Sequence, residues 1–139
     1  MVIDLYAGSG SFAIEALSRG ARSATCVEQH LRMIDILERN LTLLNLNKSC
    51  HVLHMDVRYA IPFLYKRLYR YDIIFLDPPY GEGLIADTMA LLEEYPLYTE
   101  NSLVIAEYSK REDTAFFNRF HWRTKTVKHY GDTVVRILD

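Results

Sequence analysis

The sequence contains few cysteines, no long apolar run and no excess of positive charge, and each absence excludes a class of protein. Cys26 and Cys50 stand in apolar, strand-like stretches without metal-ligand spacing, which predicts two buried, reduced thiols in a cytoplasmic protein. The five histidines form no cluster, so no metal site is expected. No stretch is long enough to cross a membrane, and Met1 is followed by a strand pattern instead of a signal peptide. The formal net charge of −2 argues against non-specific nucleic-acid binding.

Basic residues are nevertheless concentrated in two stretches of the chain. Residues 119–129 contain four arginines and lysines and no acid, and residues 66–70 contain Lys66, Arg67 and Arg70. Each stretch fits two interpretations equally well: a solvated surface, or a surface that contacts phosphate groups. Both interpretations stay open.

Strand and helix patterns alternate along the 139 residues, a length typical of one domain. Short apolar runs predict five strands, and apolar residues at three- and four-residue spacing, such as Ile34, Leu37 and Leu41, predict helices between them. This alternation indicates an α/β fold with a Rossmann-like, mostly parallel sheet and helices on both faces. The predicted strands cover residues 2–6, 23–28, 50–54, 71–76 and 102–107, and the predicted helices cover residues 12–19, 30–44, 84–94, 112–118 and part of 57–68.

Local signals mark the ends of several elements. Ser11 is predicted to cap the first helix, and Pro62 is predicted to limit the start of the third. At the C-terminus, residues 121–130 and 133–138 are predicted to be two antiparallel strands joined in a hairpin at Gly131-Asp132.

The chain starts directly on the first strand, which is central in this architecture, so a helix that usually precedes this strand is missing. Parallel sheets need cover on both faces, and we therefore expect an uncovered apolar patch beside the first and fourth strands. Either the protein forms a homo-oligomer through this face, or the 139 residues are a piece of a longer chain.

A glycine-rich loop, Ala7-Gly8-Ser9-Gly10, follows the first strand at once. Glycines there permit a tight turn and a close approach of the backbone to a ligand. The stretch also fits the dinucleotide-binding fingerprint with alanine in the last place. Asp4 distinguishes the two uses, because its carboxylate would repel a pyrophosphate and favour a ligand with an amine and a sulfonium. The loop therefore favours S-adenosylmethionine over a dinucleotide.

Acidic residues also follow the second and third predicted strands. Glu28 ends the second strand, where a carboxylate can accept hydrogen bonds from both hydroxyls of a ribose. Asp56 follows the third strand, at the height of an adenine amino group, and it is also placed to cap the helix that begins at Val57. Both residues are predicted to bind the cofactor.

The stretch Phe75-Leu-Asp-Pro-Pro-Tyr-Gly-Glu-Gly83 ends the fourth strand abruptly. Two adjacent prolines lack N–H donors and fix φ, so no sheet ladder continues through them. Asp77 is thus held at the end of a buried strand, which is where ligands bind in an open α/β sheet.

Three stretches, VIDLYAGSGSFAIEALSRGA, FLDPPYGEGL and KHYGDTVVRILD, span almost the whole chain, and through them it resembles the bacterial 16S ribosomal RNA guanine-N2 methyltransferases. The resemblance implies a class I methyltransferase that uses S-adenosylmethionine and releases S-adenosylhomocysteine. It implies ribosomal RNA, or an assembling small ribosomal subunit, as the partner. The cofactor contacts that it implies, together with the strand ends above, are Asp4, Ala7, Gly8, Ser9, Gly10, Glu28, Asp56 and Asp77.

The same resemblance implies catalytic roles for Asp77, Pro78 and Tyr80. An exocyclic amine is a poor nucleophile, because its lone pair is delocalised into the ring. The Asp77 side chain and the Pro78 carbonyl can accept its two N–H bonds and hold the nitrogen in line with the methyl group. Tyr80 can stack on the target base. Direct transfer of this kind needs neither a covalent enzyme intermediate nor a metal.

Several alternatives stay open. DNA adenine-N6 methyltransferases share the Asp-Pro-Pro-Tyr motif, although the chain has no room for their target-recognition domain. A dinucleotide-binding domain is disfavoured by Asp4 and by the Asp-Pro-Pro-Tyr motif. Members of the family usually carry a basic N-terminal segment that residues 1–139 lack, so a single domain that binds S-adenosylmethionine without independent activity is the third alternative. Tyr6, Phe12 and Trp122 fit core packing better than contact with a ligand.

Overall fold

A seven-stranded β-sheet forms the centre of the computed structural model, which describes all 139 residues. The strands are β1 Val2–Asp4, β2 Ala24–Glu28, β3 Cys50–His54, β4 Tyr71–Leu76, β5 Tyr98–Ser109, β6 Thr124–Tyr130 and β7 Thr133–Leu138. Their order in the sheet is β3-β2-β1-β4-β5-β7-β6. The first five strands are parallel, and β7 is antiparallel to both of its neighbours. The predicted α/β class, the mostly parallel sheet and the C-terminal hairpin are confirmed.

One α-helix follows each of the first four strands and returns the chain to the start of the next one, as parallel strands require. None of these helices is long and apolar enough to cross a membrane. The helices are α1 Ser11–Ser18, α2 Leu31–Leu43, α3 Val57–Lys66 and α4 Leu84–Glu94, and a 3₁₀ turn covers Ala115–Arg119.

Three elements in the second half differ from the sequence prediction, and the simplest difference is that β6 begins at Thr124, three residues after the predicted start at His121. β5 begins at Tyr98, four residues before the predicted start at Ser102. The Ser102 hydroxyl donates to the Tyr71 carbonyl at 2.7 Å and accepts from the Thr99 N–H at 2.8 Å, which ties the earlier residues to β4. The helix predicted over residues 112–118 is only the short 3₁₀ turn, a form that rarely extends beyond a few residues.

Two helix starts also differ from the prediction. Ser11 is the first residue of α1 and not its cap, because Gly10 occupies the N-cap position with a φ of 84° and no side chain caps the helix. Pro62 lies inside α3, which begins five residues earlier at Val57 under the Asp56 cap. The apolar face that α3 buries against the sheet outweighs the one backbone hydrogen bond that a proline removes.

The helices α3 and α4 cover one face of the sheet. Their apolar side chains pack with alternate residues of β1, β4 and β5 to form the larger core, in which Ile3, Leu5, Ile61, Leu64, Ile74, Leu76, Ile85, Met89 and Leu92 are fully buried. The 3₁₀ turn adds Phe117, whose ring centroid lies 5.7 Å from that of Tyr108.

On the other face, α1 and α2 pack mainly on the half of the sheet formed by β1, β2 and β3. Phe12 of α1 stacks on Phe75 at 4.1 Å, which confirms its place in the core and marks the boundary of the covered half. Apolar residues of β5 and β7 beyond this boundary, including Leu103, Ile105 and Ile137, stay only half-buried. The residues of β1 are buried, and Ile73 and Phe75 of β4 are partly buried, so an uncovered patch beside these two strands stays a prediction, as does association of two chains through it.

The remaining buried groups behave as expected from their sequence context. Cys26 and Cys50 are buried, free thiols whose sulfur atoms lie 3.4 Å apart. Trp122 is buried and packs edge-to-face on Tyr98 at 4.4 Å, so it belongs to the packing of the C-terminal region.

Candidate active site

A cavity of about 720 Å³ opens at the carboxyl ends of β1, β2, β3 and β4. The strand order reverses between β1 and β4, and ligands of open α/β sheets bind at such a switch point. The volume lies within the range of small-molecule and cofactor sites. The lining residues are Leu5, Tyr6, Val27, Glu28, Gln29, His30, Met55, Asp56, Val57, Arg58, Asp77, Pro78, Pro79, Tyr80, Glu82, Leu84, Asp87, Thr88 and Leu91.

Glu28, the last residue of β2, lines the cavity and is only 8% exposed. Both of its carboxylate oxygens accept backbone hydrogen bonds. The Gly8 N–H donates to Oε2 at 2.9 Å, and the His30 N–H donates to Oε1 at 2.8 Å. Each oxygen keeps a further lone pair that a ligand hydroxyl can use. Glu28 thus joins the glycine loop to the start of α2 while still facing the cavity.

Asp56 combines the two roles that its position allows. Its Oδ1 accepts the Arg58 N–H at 2.8 Å, which confirms the helix cap, and it also lines the cavity. The Arg58 guanidinium donates to both carboxylate oxygens, at 3.0 Å from Nε and 2.8 Å from Nη2. These hydrogen bonds with Arg58 lower the pKa of Asp56 below its ordinary value. Contact between Asp56 and an adenine stays a prediction.

Asp77 has no such support. No N–H or O–H group of the protein donates a hydrogen bond to its carboxylate, and Pro78 and Pro79, which follow it, have no N–H to offer. Burial, with a smaller contribution from the negative charge of Glu107, raises the pKa of Asp77 to about 6. A ligand that brings N–H donors or positive charge would stabilise this carboxylate.

Tyr80 is 49% exposed at the rim of the cavity. Its hydroxyl lies 3.3 Å from the Thr133 hydroxyl at the start of β7. The next residue, Gly81, donates its N–H to the Glu112 carboxylate at 3.4 Å. The loop after β4 is therefore attached to the C-terminal hairpin and to the segment after β5, and stacking of Tyr80 on a base stays a prediction.

The glycine loop and Asp4 do not line the cavity. Asp4 is 2% exposed instead of lying at the mouth of the loop, because its side chain folds back to accept the Tyr6 N–H at 3.1 Å. Burial, reinforced by the charges of Asp77 and Glu28, raises the pKa of Asp4 to about 7 despite that hydrogen bond. Direct contacts from Asp4 and from residues 7–10, namely Ala7, Gly8, Ser9 and Gly10, to a ligand stay predictions.

Contact with a ligand is the less favoured sequence interpretation of Tyr6, and no residue of α4 is predicted at the site. Tyr6 lines the cavity instead of packing wholly in the core, and its hydroxyl lies 2.6 Å from the Thr88 hydroxyl. Asp87 lines the same wall. The adjacent polar pair Asp87-Thr88 among the apolar residues that begin α4 was the available signal, but an acid in the first turn also suits the positive end of the helix dipole and so does not by itself indicate a site.

The charge of the lining is strongly one-sided. Its only lysine or arginine, Arg58, is paired with Asp56, whereas five carboxylate side chains line the cavity: Glu28, Asp56, Asp77, Glu82 and Asp87. No three of the chain's acidic, histidine or cysteine side chains are grouped as metal ligands. A cavity of this charge repels a pyrophosphate and favours a ligand that carries positive charge.

The strand order and the cavity at the β1–β4 switch point define the Rossmann-like fold of class I methyltransferases. The ribosomal protein L11 methylase of Lactobacillus delbrueckii subsp. bulgaricus superposes with a TM-score of 0.81, over 99% of this chain and 68% of that chain. At 17% identity, this likeness shows the fold alone.

The chain belongs to the family described as Conserved hypothetical protein 95, whose profile matches residues 1–139. It is 32% identical over 138 residues to the ribosomal RNA small subunit methyltransferase D of Haemophilus influenzae, covering 97% of this chain and 69% of that protein. A conserved hypothetical protein of Streptococcus pyogenes is 32% identical, with a TM-score of 0.85 over 99% of this chain and 83% of that one. The family resemblance inferred from the sequence is confirmed. The chain spans only 51% to 59% of the length of four other curated relatives that it matches.

Proposed function

We propose that the protein is an S-adenosylmethionine-dependent methyltransferase that modifies the exocyclic N2 amine of a guanine in 16S ribosomal RNA. The observation that carries this proposal is the acidic cavity at the switch point, where Asp77 is an ionisable acceptor without a donor of its own. The names of the relatives support small-subunit ribosomal RNA as the substrate class. The resemblance of the Asp-Pro-Pro-Tyr and C-terminal stretches to guanine-N2 enzymes supports the target atom.

Residues at the ends of β2 and β3 fit the cofactor. Glu28 has free lone pairs for the ribose hydroxyls, and Asp56 presents a carboxylate for the adenine amino group. The apolar side chains of Val27, Met55 and Val57 line the cavity beside them and offer contact surface for the adenine ring. When bound, S-adenosylmethionine supplies a methyl group on a positively charged sulfonium, and the carboxylates of the cavity favour that charge.

Residues after β4 fit the target base. The Asp77 carboxylate and the Pro78 carbonyl accept the two N–H bonds of the amine, which orients its nitrogen and stabilises the positive charge that develops on it. Pro78 and Pro79 fix the backbone between these two acceptors. Tyr80, half-exposed at the rim, offers an aromatic face on which an unpaired base can stack.

The test is methylation by the full chain with radiolabelled cofactor. Naked 16S ribosomal RNA, small ribosomal subunits at stages of assembly and double-stranded DNA are offered in parallel, and labelled nucleosides are identified by mass spectrometry. N2-methylguanosine in the RNA is the expected product. Methylated adenine in the DNA would favour the DNA enzyme instead.

Calorimetry with S-adenosylmethionine separates two kinds of negative result. Cofactor binding without transfer to any substrate would favour a cofactor-binding module, which the short span of the chain relative to its relatives makes a specific alternative. Absence of cofactor binding would contradict both.

A further inference from the structure

The two basic stretches of the sequence lie at different ends of the sheet. Lys66 ends α3, which runs back from the cavity, so Lys66, Arg67 and Arg70 lie just before the start of β4. The six residues of β4 place this cluster roughly 20 Å from Asp77. Arg67 is engaged with the Phe63 ring, at 3.7 Å from its centroid. This cluster is in the wrong place to contact RNA that enters the cavity.

The C-terminal hairpin, in contrast, reaches the edge of the cavity. β6 is parallel to β5, since both are antiparallel to β7, and it therefore ends at Tyr130 on the same edge of the sheet as Asp77. Tyr130 is 60% exposed and is the cross-strand partner of Thr133, whose hydroxyl lies 3.3 Å from that of Tyr80. The exposed aromatic side chains of Tyr80 and Tyr130 therefore both lie next to Thr133.

Two cations beside these aromatic residues have no carboxylate partner within 4.0 Å. Lys128 is two residues before Tyr130 on the same face of β6, and Arg111 follows the end of β5. The backbone of Lys110 bonds to that of Asp132 at 2.9 Å, which holds the Arg111 segment against the hairpin turn.

Three other cations of this region are paired with carboxylates. Arg123 and Lys125 lie 3.5 and 3.6 Å from the Asp139 carboxylate, and Lys110 pairs with Asp132. Lys125 is also about 16 Å back along β6 from Tyr130. Lys128 is therefore the one member of the predicted basic stretch that lies at the cavity edge and has no acidic partner.

We propose that Tyr80, Arg111, Lys128 and Tyr130, here called the hairpin rim, bind the RNA strand on either side of the target nucleotide. This inference rests on the proposed function for the identity of the nucleic acid. Lys128 and Arg111 contact phosphates, and Tyr130 stacks on a base next to the one that Tyr80 receives. Charge complementarity selects RNA, because these cations are exposed and unpaired whereas the cavity beside them is acidic.

The test compares two double variants that remove the same charge at opposite ends of the sheet. R111Q with K128Q changes the hairpin rim, and K66Q with R67Q is the matched control. Binding of a fluorescein-labelled, guanine-containing RNA oligonucleotide to the full chain is followed by anisotropy between about 50 and 200 mM salt. Calorimetry with S-adenosylmethionine verifies that each variant retains its fold.

The rim variant should lose roughly 10- to 100-fold in RNA affinity at the lowest salt, and its slope of log affinity against log salt should become shallower by roughly 1.4. The control should match the parent. Y130A should weaken binding at every salt concentration without changing the slope, and Y130F should not. Equal losses of RNA affinity in both double variants, or no RNA binding by the parent, would contradict the proposal that the hairpin rim binds RNA.

RNA binding and methyl transfer fail separately in this design. A rim-dependent binding pattern without transfer would leave the hairpin rim in place and contradict the proposed enzyme. Methyl transfer to RNA, together with equal RNA binding by both double variants, would contradict the hairpin rim and support the proposed enzyme.

Discussion

The ligand-binding edge of the sheet has two halves of different character. After β2 and β3, the carboxylates of Glu28 and Asp56 already accept N–H groups of the protein itself. After β4, the carboxylate of Asp77 accepts none, and its pKa is raised to about 6. The carboxylates of the first half, Glu28 and Asp56, are hydrogen-bonded before a ligand arrives. The carboxylate of the second half, Asp77, is left for a ligand to hydrogen-bond.

Local sequence explains this difference. The glycine loop and the start of α2 present free backbone N–H groups at Gly8 and His30, and Glu28 is placed between them. Pro78 and Pro79 present none, and the next N–H group that forms a side-chain hydrogen bond, that of Gly81, donates to Glu112 and not to Asp77. A preorganised half binds its ligand with little loss of conformational entropy. An unsatisfied acceptor, in contrast, gains most when a ligand donor arrives.

The largest effect is expected from D77N, which keeps the shape of the side chain and removes its charge. Methyl transfer should fall roughly 10²- to 10³-fold in single-turnover experiments, because the charge that develops on the amine loses its acceptor. Cofactor affinity, which depends mainly on the other half, should fall far less than transfer does in calorimetry, because only the attraction between Asp77 and the sulfonium charge is lost. D87N removes another carboxylate of the same cavity and is the matched control. Equal losses of transfer and of cofactor binding in D77N would assign a structural role to Asp77.

The next effect tests how the first half is held in place. An alanine at Gly10 would need φ near 84°, and its Cβ would overlap Cδ1 of the buried Leu37 in α2. The left-handed φ costs about 1–2 kcal/mol, and overpacking against Leu37 adds about 1–3 kcal/mol. G20A has a similar φ of 98° but nothing within 4 Å of its Cβ, so it isolates the first cost. Equal free energies of unfolding for G10A and G20A in urea would show that the loop does not depend on its contact with α2.

A smaller effect is expected at Glu28. Loss of its ribose hydrogen bonds in E28A should weaken cofactor binding by about 1–3 kcal/mol, the range for hydrogen bonds to a charged group. E28Q retains one oxygen and should lose less. Calorimetry measures both variants, and the melting temperature shows whether loss of the Gly8 and His30 hydrogen bonds has loosened the loop. If E28A bound the cofactor as tightly as the parent does, Glu28 would not be part of the cofactor site.

The positions of these residues at strand ends could be predicted, but the directions of several side chains could not. Alternation of strands and helices places Glu28, Asp56 and Asp77 at one edge of any parallel sheet with this order. Whether Asp4 points into the cavity or folds back on the Tyr6 N–H depends on the path of the loop, which is set by packing against α2 and not by local pattern. The same holds for β5, whose early start depends on a serine that bonds across to β4.

The smallest effect is a shift in the titration of Asp77. In the ligand-free protein, its carboxyl should titrate near 6, above the ordinary value of 3.8, in carbon-detected NMR. E107Q removes a like charge and should lower this pKa, and bound S-adenosylmethionine should lower it further through its positive charge. If Asp77 titrated near its ordinary pKa in the free protein, its carboxylate would already be stabilised by solvent or protein before a ligand binds.

The sign of this shift also predicts how stability depends on pH. Because the folded state binds the Asp77 proton more tightly than the unfolded state does, protonation contributes stability at low pH that is lost as the pH rises through about 6. The free energy of unfolding should therefore fall between pH 4 and 6 by more in the parent than in D77N, which has no such proton to lose. Urea titrations of both proteins across this range measure the difference. Parallel pH profiles would show that the Asp77 carboxylate is solvated in the free protein, and the two halves of the edge would then not differ in the way that their hydrogen bonds indicate.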